Sequence, residues 1–210
     1  KAFGRILNLS LMTCLQQSIM NFGILMIQGL VNSFGTVIMA AFAAAVKIDS
    51  FAYMPVQDFG NAFSTFVAQN FGAGKSDRIR RGMRSACCTS AVFSLVISLL
   101  VVLFAKPLMS IFIDPSETAI IAAGVTYLRI EGACYLGIGI LFLLYGYYRA
   151  VNKPLMSVIL TVASLGALAY ALAPLPAVGV IGIWAAIPIG WALADVIGIG
   201  YYAYLRAAPR

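Results

Sequence analysis

The sequence predicts an all-α membrane protein of six transmembrane helices arranged as one lobe over residues 1–210. Three observations carry this. No charged residue occurs between Arg5 and Lys47, or between Lys153 and Asp195, a gap of 41 residues each time. About 20 apolar residues rising about 1.5 Å each cross a hydrocarbon core, so each gap holds about two crossings. Hydrophobic residues make up 62% and charged ones 10%, against about 25% charge in soluble domains. Runs such as 94–105 and 138–145 are apolar on every face, whereas an outer-membrane barrel alternates apolar and polar residues in segments of about 10.

The elements follow in order. The first helix covers about 7–31 and stops at Asn32-Ser33-Phe34-Gly35, a turn signal. The second covers about 36–71; Pro55 removes a backbone donor and is expected to kink it. It ends at Gly72-Ala73-Gly74, where glycine takes the left-handed cap. The third covers about 77–113 and begins amphipathic. Asp114-Pro115-Ser116 breaks the chain, with Ser116 as N-cap of a fourth helix over about 117–150. Asn152-Lys153-Pro154 separates the fifth helix, about 154–173. Pro174, Pro176 and Gly179 divide it from the sixth, about 180–206.

Charge placement supports an even number of crossings with both ends cytoplasmic. On that count the inside segments hold Lys1, Arg5, Lys75, Arg78, Arg80, Arg81, Arg84, Arg149, Lys153, Arg206 and Arg210, eleven of the 14 basic residues. The outside loops hold Lys106, and Lys47 and Arg129 fall within helices. Cytoplasmic loops accumulate Lys and Arg, so the expected location is the inner (plasma) membrane, multi-pass. The net charge of +7 is thereby a topology signal, and nucleic acid is excluded as a partner. Histidine is absent, which removes imidazole chemistry. Cys14, Cys87, Cys88 and Cys134 form no CxxC pair and read as free apolar thiols. No catalytic group, bound metal or cofactor is expected. The chain opens KAFGRILNLS without an initiator Met and reads as the interior of a longer protein.

A charge at bilayer depth is costly and faces the protein interior or water. Lys47 and Asp49 lie roughly 16–20 Å below the outer end of the second helix, at 1.5 Å per residue. Arg129 and Glu131 lie at a similar depth in the fourth, and Asp195 about 15 residues into the sixth. Gln16, Gln17 and Asn21 reach the same level from the cytoplasmic side. Two readings share this layer. In one, Lys47 with Glu131 and Arg129 with Asp49 form buried pairs that fix helix register. In the other, at least one of Asp49, Glu131 and Asp195 exchanges a proton or binds a cation during transport. Tyr135, four residues after Glu131, joins its face on an ideal helix, and Gly139 continues that face.

The loop from Gln69 to Arg78 is the most motif-like segment. It has no GxxxxGK[ST] pattern after a strand, so it is not a phosphate loop; its basic residues also suit anionic headgroups. Gln69-Asn70-Phe71-Gly72-Ala73-Gly74, followed by Arg78 and Arg80, resembles the turn after the second helix of each half in the multidrug and toxic compound extrusion (MATE) family. Pro55, Gly146-Tyr147-Tyr148-Arg149-Ala150 with Asn152 and Pro154, and Leu15-Gln16-Gln17-Ser18 extend the resemblance over essentially the whole chain.

The resemblance implies the C-terminal half of a two-lobe, twelve-helix transporter, partnered by an N-terminal six-helix lobe missing from this chain. It also implies export of cationic or amphipathic drug substrates in exchange for H+ or Na+, the coupling ion being transported and not a resident cofactor. Sodium-coupled members place acids on the first and fourth helices of this lobe. Here the first offers Gln16 and Gln17, and the fourth has Ile138 at the aligned level, with Glu131 nearly two turns away. The alternatives are a lipid-linked glycan flippase of the same superfamily, which needs a wide cation-lined cavity, and a non-transporting membrane scaffold, which needs no acid at the midplane.

Overall fold

The fold is built from helices that are apolar nearly all round, most of them leaving much of their surface for lipid. The computed structural model describes residues 2–164 and 179–207. Its order is α1 (Ala2–Asn32), α2 (Thr36–Gly72), α3 (Ser76–Met109), α4 (Thr118–Gly132), α5 (Tyr135–Ala150), α6 (Pro154–Ser164) and α7 (Gly179–Ala207). Four of these are long and apolar enough to span a bilayer, and α4 with α5 makes a further span bent by 53°. Leu11, Val92, Leu99, Leu103 and Val196 stay exposed, as a hydrocarbon solvent permits. In α2, by contrast, Phe42, Ala45, Asp49, Ala52, Val56, Gly60, Phe63, Val67 and Asn70 are buried. Their spacing of three to four residues draws one stripe along a helix.

That stripe packs on α5, which is buried along almost its whole length from Ile138 to Tyr148. Around α5 stand α2, α3, α6 and α7. Glycine makes the closest of these contacts possible. A Cβ at Gly146 would lie 2.5 Å from the Gly60 carbonyl oxygen, and one at Gly60 2.8 Å from the Phe142 carbonyl oxygen. Tyr148, fully buried, donates its hydroxyl to the Gly198 carbonyl at 2.5 Å and so ties α5 to α7.

The turns agree with their residues. Gly35 and Gly74 adopt φ of 93° and 68°, and Asn152 adopts 58°, all left-handed values that glycine and asparagine tolerate. In the Gln69–Arg78 segment, Asn70 is buried, its amide donates to the Phe66 carbonyl at 2.8 Å, and its carbonyl accepts from the Lys75 amide at 2.8 Å.

Four expectations need correction. The predicted fourth helix is two helices, broken at Ala133-Cys134, with Cys134 at φ −110°, ψ 10°. No proline lies there; instead the Ser98 hydroxyl of α3 takes the Gly132 carbonyl, and insertion of a side chain into the helical ladder breaks it. Ser116 does not cap α4. Its amide and hydroxyl both donate to Asp114 Oδ1, at 2.9 and 2.6 Å, in a turn of their own, and Glu117 is the residue preceding the helix. The third helix ends at Met109, bent at Phe104 ahead of Pro107, whereas α2 runs through Pro55 unbroken. The predicted fifth helix is seen as α6 to Ser164, and its remainder, with Lys1, Pro174, Pro176 and Arg210, lies outside the described residues.

Candidate functional site

The buried stripe of α2 carries Asp49 into the bundle, 4% exposed, opposite the C-terminal end of α4 and the start of α5. Two hydroxyls meet it. Tyr127 donates to Asp49 Oδ2 at 2.7 Å, and Tyr135 donates to Oδ1. Tyr127 lies four residues before Glu131, so both share one face of α4. The Glu131 carboxyl, 2% exposed, lines the same cavity as Asp49 and Tyr127, and its Oε1 has no hydrogen-bond partner. Phe42 of α2 and Trp184 of α7 clamp the Tyr127 ring edge-on, at centroid distances of 5.4 and 5.8 Å.

Asp49, Tyr127, Glu131 and Phe42 line a cavity of about 150 Å³ bounded by α1, α2, α4, α5, α6 and α7, whose other walls include Tyr53, Tyr145, Thr161, Ser164 and Trp191. Among the described residues no Lys or Arg lines it. The volume suits several waters or a small ion and falls below the roughly 300–1,000 Å³ of drug-sized pockets. A second, smaller cavity of about 110 Å³ holds Gln16, Gln17, Gln57, Asn61 and Arg149. There the Arg149 guanidinium donates to Asn61 Oδ1 at 2.8 Å. Phe142 and Tyr145 line both cavities and stand between them.

The structure thus brings together three of the predicted residues, Asp49, Glu131 and Tyr135, and adds Tyr127. The predicted pairs Lys47–Glu131 and Arg129–Asp49 are not formed. Lys47 and Arg129 are exposed, and the Lys47 ammonium sits 5.8 Å from the centroid of the Phe112 ring, beyond the end of α3. Residues two apart on a helix point about 200° apart, so burying Asp49 and Glu131 turns Lys47 and Arg129 outward. Asp195 is buried but lines neither cavity; a Cβ at Gly137 would lie 3.5 Å from its Oδ2. Gln16 is buried, Gln17 and Asn21 are exposed, and the Gln17 amide reaches Asn21 at 3.5 Å. Gly139 faces α3, where its Cβ would meet Ser94 Oγ at 2.5 Å, because the break ahead of it turns α5 away from the α4 face. Gln69, Asn70, Gly72, Gly74 and Arg78 all lie at the far end of the bundle, on the turn between α2 and α3.

The MatE family profile matches residues 9–175. The chain belongs to the MatE family. Members are transporters and not enzymes. The chain is 30% identical over 203 residues to the probable multidrug resistance protein YpnP of Bacillus subtilis, a match covering 96% of this chain and 45% of YpnP. It is 28% identical over 153 residues to the FAD transporter of Shewanella oneidensis, covering 71% and 33%. Among solved structures, the MATE transporter ClbM in complex with Rb+ superposes with a TM-score of 0.88 at 24% identity, over 99% of this chain and 48% of ClbM. The chain therefore spans less than half the length of the curated relatives it matches and has the fold of half a MATE transporter.

Proposed function

We infer that the whole protein is a secondary active exporter of cationic or amphipathic small molecules, and that this chain is the lobe in which the Asp49–Glu131 pair takes up and releases the coupling ion. The observation that carries the reading is a pair of buried carboxyls lining one cavity, Asp49 holding two tyrosine hydroxyls, with no Lys or Arg among the described residues of the wall. A proton suits two buried carboxyls that line one cavity with no Lys or Arg among its described walls. The cavity is too small for a drug, so the substrate binds outside it, between this lobe and a homologous N-terminal one. Rocking of the two lobes about that site gives alternating access. The charge asymmetry of the loops supports an orientation with both ends of this segment in the cytoplasm.

The glycan-flippase reading would need a wide, cation-lined space between the two lobes. The scaffold reading leaves two adjacent buried carboxyls without a purpose. The test is transport by the full-length protein in vesicles, with proton and sodium gradients imposed separately. A proton gradient should drive efflux of a fluorescent cation, with Asp49→Asn and Glu131→Gln both uncoupled. Efflux driven by sodium alone, or wild-type efflux by both variants at equal insertion, would refute the assignment.

A further inference from the structure

At the end of the bundle away from the carboxyl pair, three cations far apart in sequence converge on one groove. Arg80 comes from α3, Lys153 from the turn after α5, and Arg206 from the last turn of α7; together they line a space of about 700 Å³. Tyr147 and Tyr202 form its floor, edge to face at 5.0 Å. The Arg206 guanidinium lies 5.8 Å from the Tyr202 ring centroid, a cation–π distance that holds it over the groove. Apolar side chains complete the wall, with one acid, Asp77, as the opposing charge. The spans Thr36–Gly72, Ser76–Met109 and Gly179–Arg206 all have an end here, so the groove stands at the membrane boundary.

We propose that this groove binds the headgroup of an anionic phospholipid. Its chemistry is divided as an amphiphile requires. The cations face a phosphate, and the tyrosines and apolar wall accompany the glycerol and the first methylenes. Tyrosine is enriched at this depth, and basic pockets between spans are suited to lipid phosphates. A free phosphate would use the cations but not the apolar wall.

The test uses the full-length protein, delipidated in neutral detergent and titrated with short-chain phosphatidylglycerol or phosphatidylcholine, with bound lipid counted by native mass spectrometry. At about a factor of five per cation, partly offset by Asp77, phosphatidylglycerol should be preferred by about tenfold to a hundredfold. The triple variant Arg80→Gln, Lys153→Gln, Arg206→Gln should lose that preference. The charge-matched triple Lys75→Gln, Arg81→Gln, Arg84→Gln, outside the groove, should keep it. All six side chains are exposed, and a monodisperse elution profile confirms folding. Equal loss in the two triples would replace the site with a diffuse field. An unaffected groove triple would also overturn the proposal. So would displacement of phosphatidylglycerol by millimolar inorganic phosphate, which would mark a site for free anions.

Discussion

Gly146→Ala tests a close backbone approach between α2 and α5. The added Cβ would stand 2.5 Å from the Gly60 carbonyl oxygen, whereas ordinary contact begins near 3.4 Å, so α2 and α5 must part by about 0.9 Å. Backbone atoms cannot rotate aside, and a gap of 0.5–1 Å forfeits a quarter to a half of each dispersion contact across it. Overpacking of this kind costs about 1–3 kcal/mol, and a backbone clash belongs at the upper end. Alanine in place of glycine returns about 1 kcal/mol of helix propensity, leaving a net loss of about 2 kcal/mol. For a chain of this size that lowers the unfolding midpoint by about 4–8 °C. The assay is thermal unfolding in detergent followed by circular dichroism, beside Gly200→Ala, where a Cβ meets nothing within 4 Å and the midpoint should hold or rise. A Gly146→Ala midpoint equal to that of wild type would show that α2 and α5 are not held at this distance.

Other outcomes follow from the site and the turns. Glu131→Gln should insert normally but lower export by roughly tenfold or more, since coupling free energies of 1–3 kcal/mol correspond to 5–150-fold. Asp195→Asn, at a helix contact outside the cavity, should lower it less, and vesicle efflux ranks the two. Ser98→Ala strips the Gly132 carbonyl of its partner, and an unsatisfied buried acceptor costs about 1–3 kcal/mol, again read as a lowered midpoint. The Asp114 carboxyl is held below its usual range by the Ser116 hydroxyl and amide. Ser116→Ala should raise it, as NMR titration would show; the small contribution of this turn is present above the unfolded value and is lost as pH falls through the folded one.

The spans were legible because charge is excluded from them, and the turns because Gly35, Gly74 and Asn152 mark left-handed backbone. Level along the helices is legible too: Asp49 and Glu131 line one cavity. Level alone does not fix azimuth, and Lys47 and Arg129, close by in sequence, face outward. Counting 100° per residue from Asp49 sends Lys47 to the opposite side of α2. The same count, run back four residues from Glu131, would have found Tyr127. The break at Cys134 had no local signal, since its cause sits on another helix at Ser98. Arg80, Lys153 and Arg206 were seen only as topology charges; their convergence depends on how α3, α5 and α7 end together.

Neighbouring helices of this lobe carry two bends of different kinds. The bend in α3 at Phe104 precedes Pro107, whose ring removes an amide for good, so that elbow is written into the covalent chain. The joint between α4 and α5 contains no proline; it persists while one serine hydroxyl occupies the Gly132 carbonyl. The first bend is a permanent shape. The second is held from a neighbouring helix, and Glu131 sits one residue from the carbonyl by which it is held.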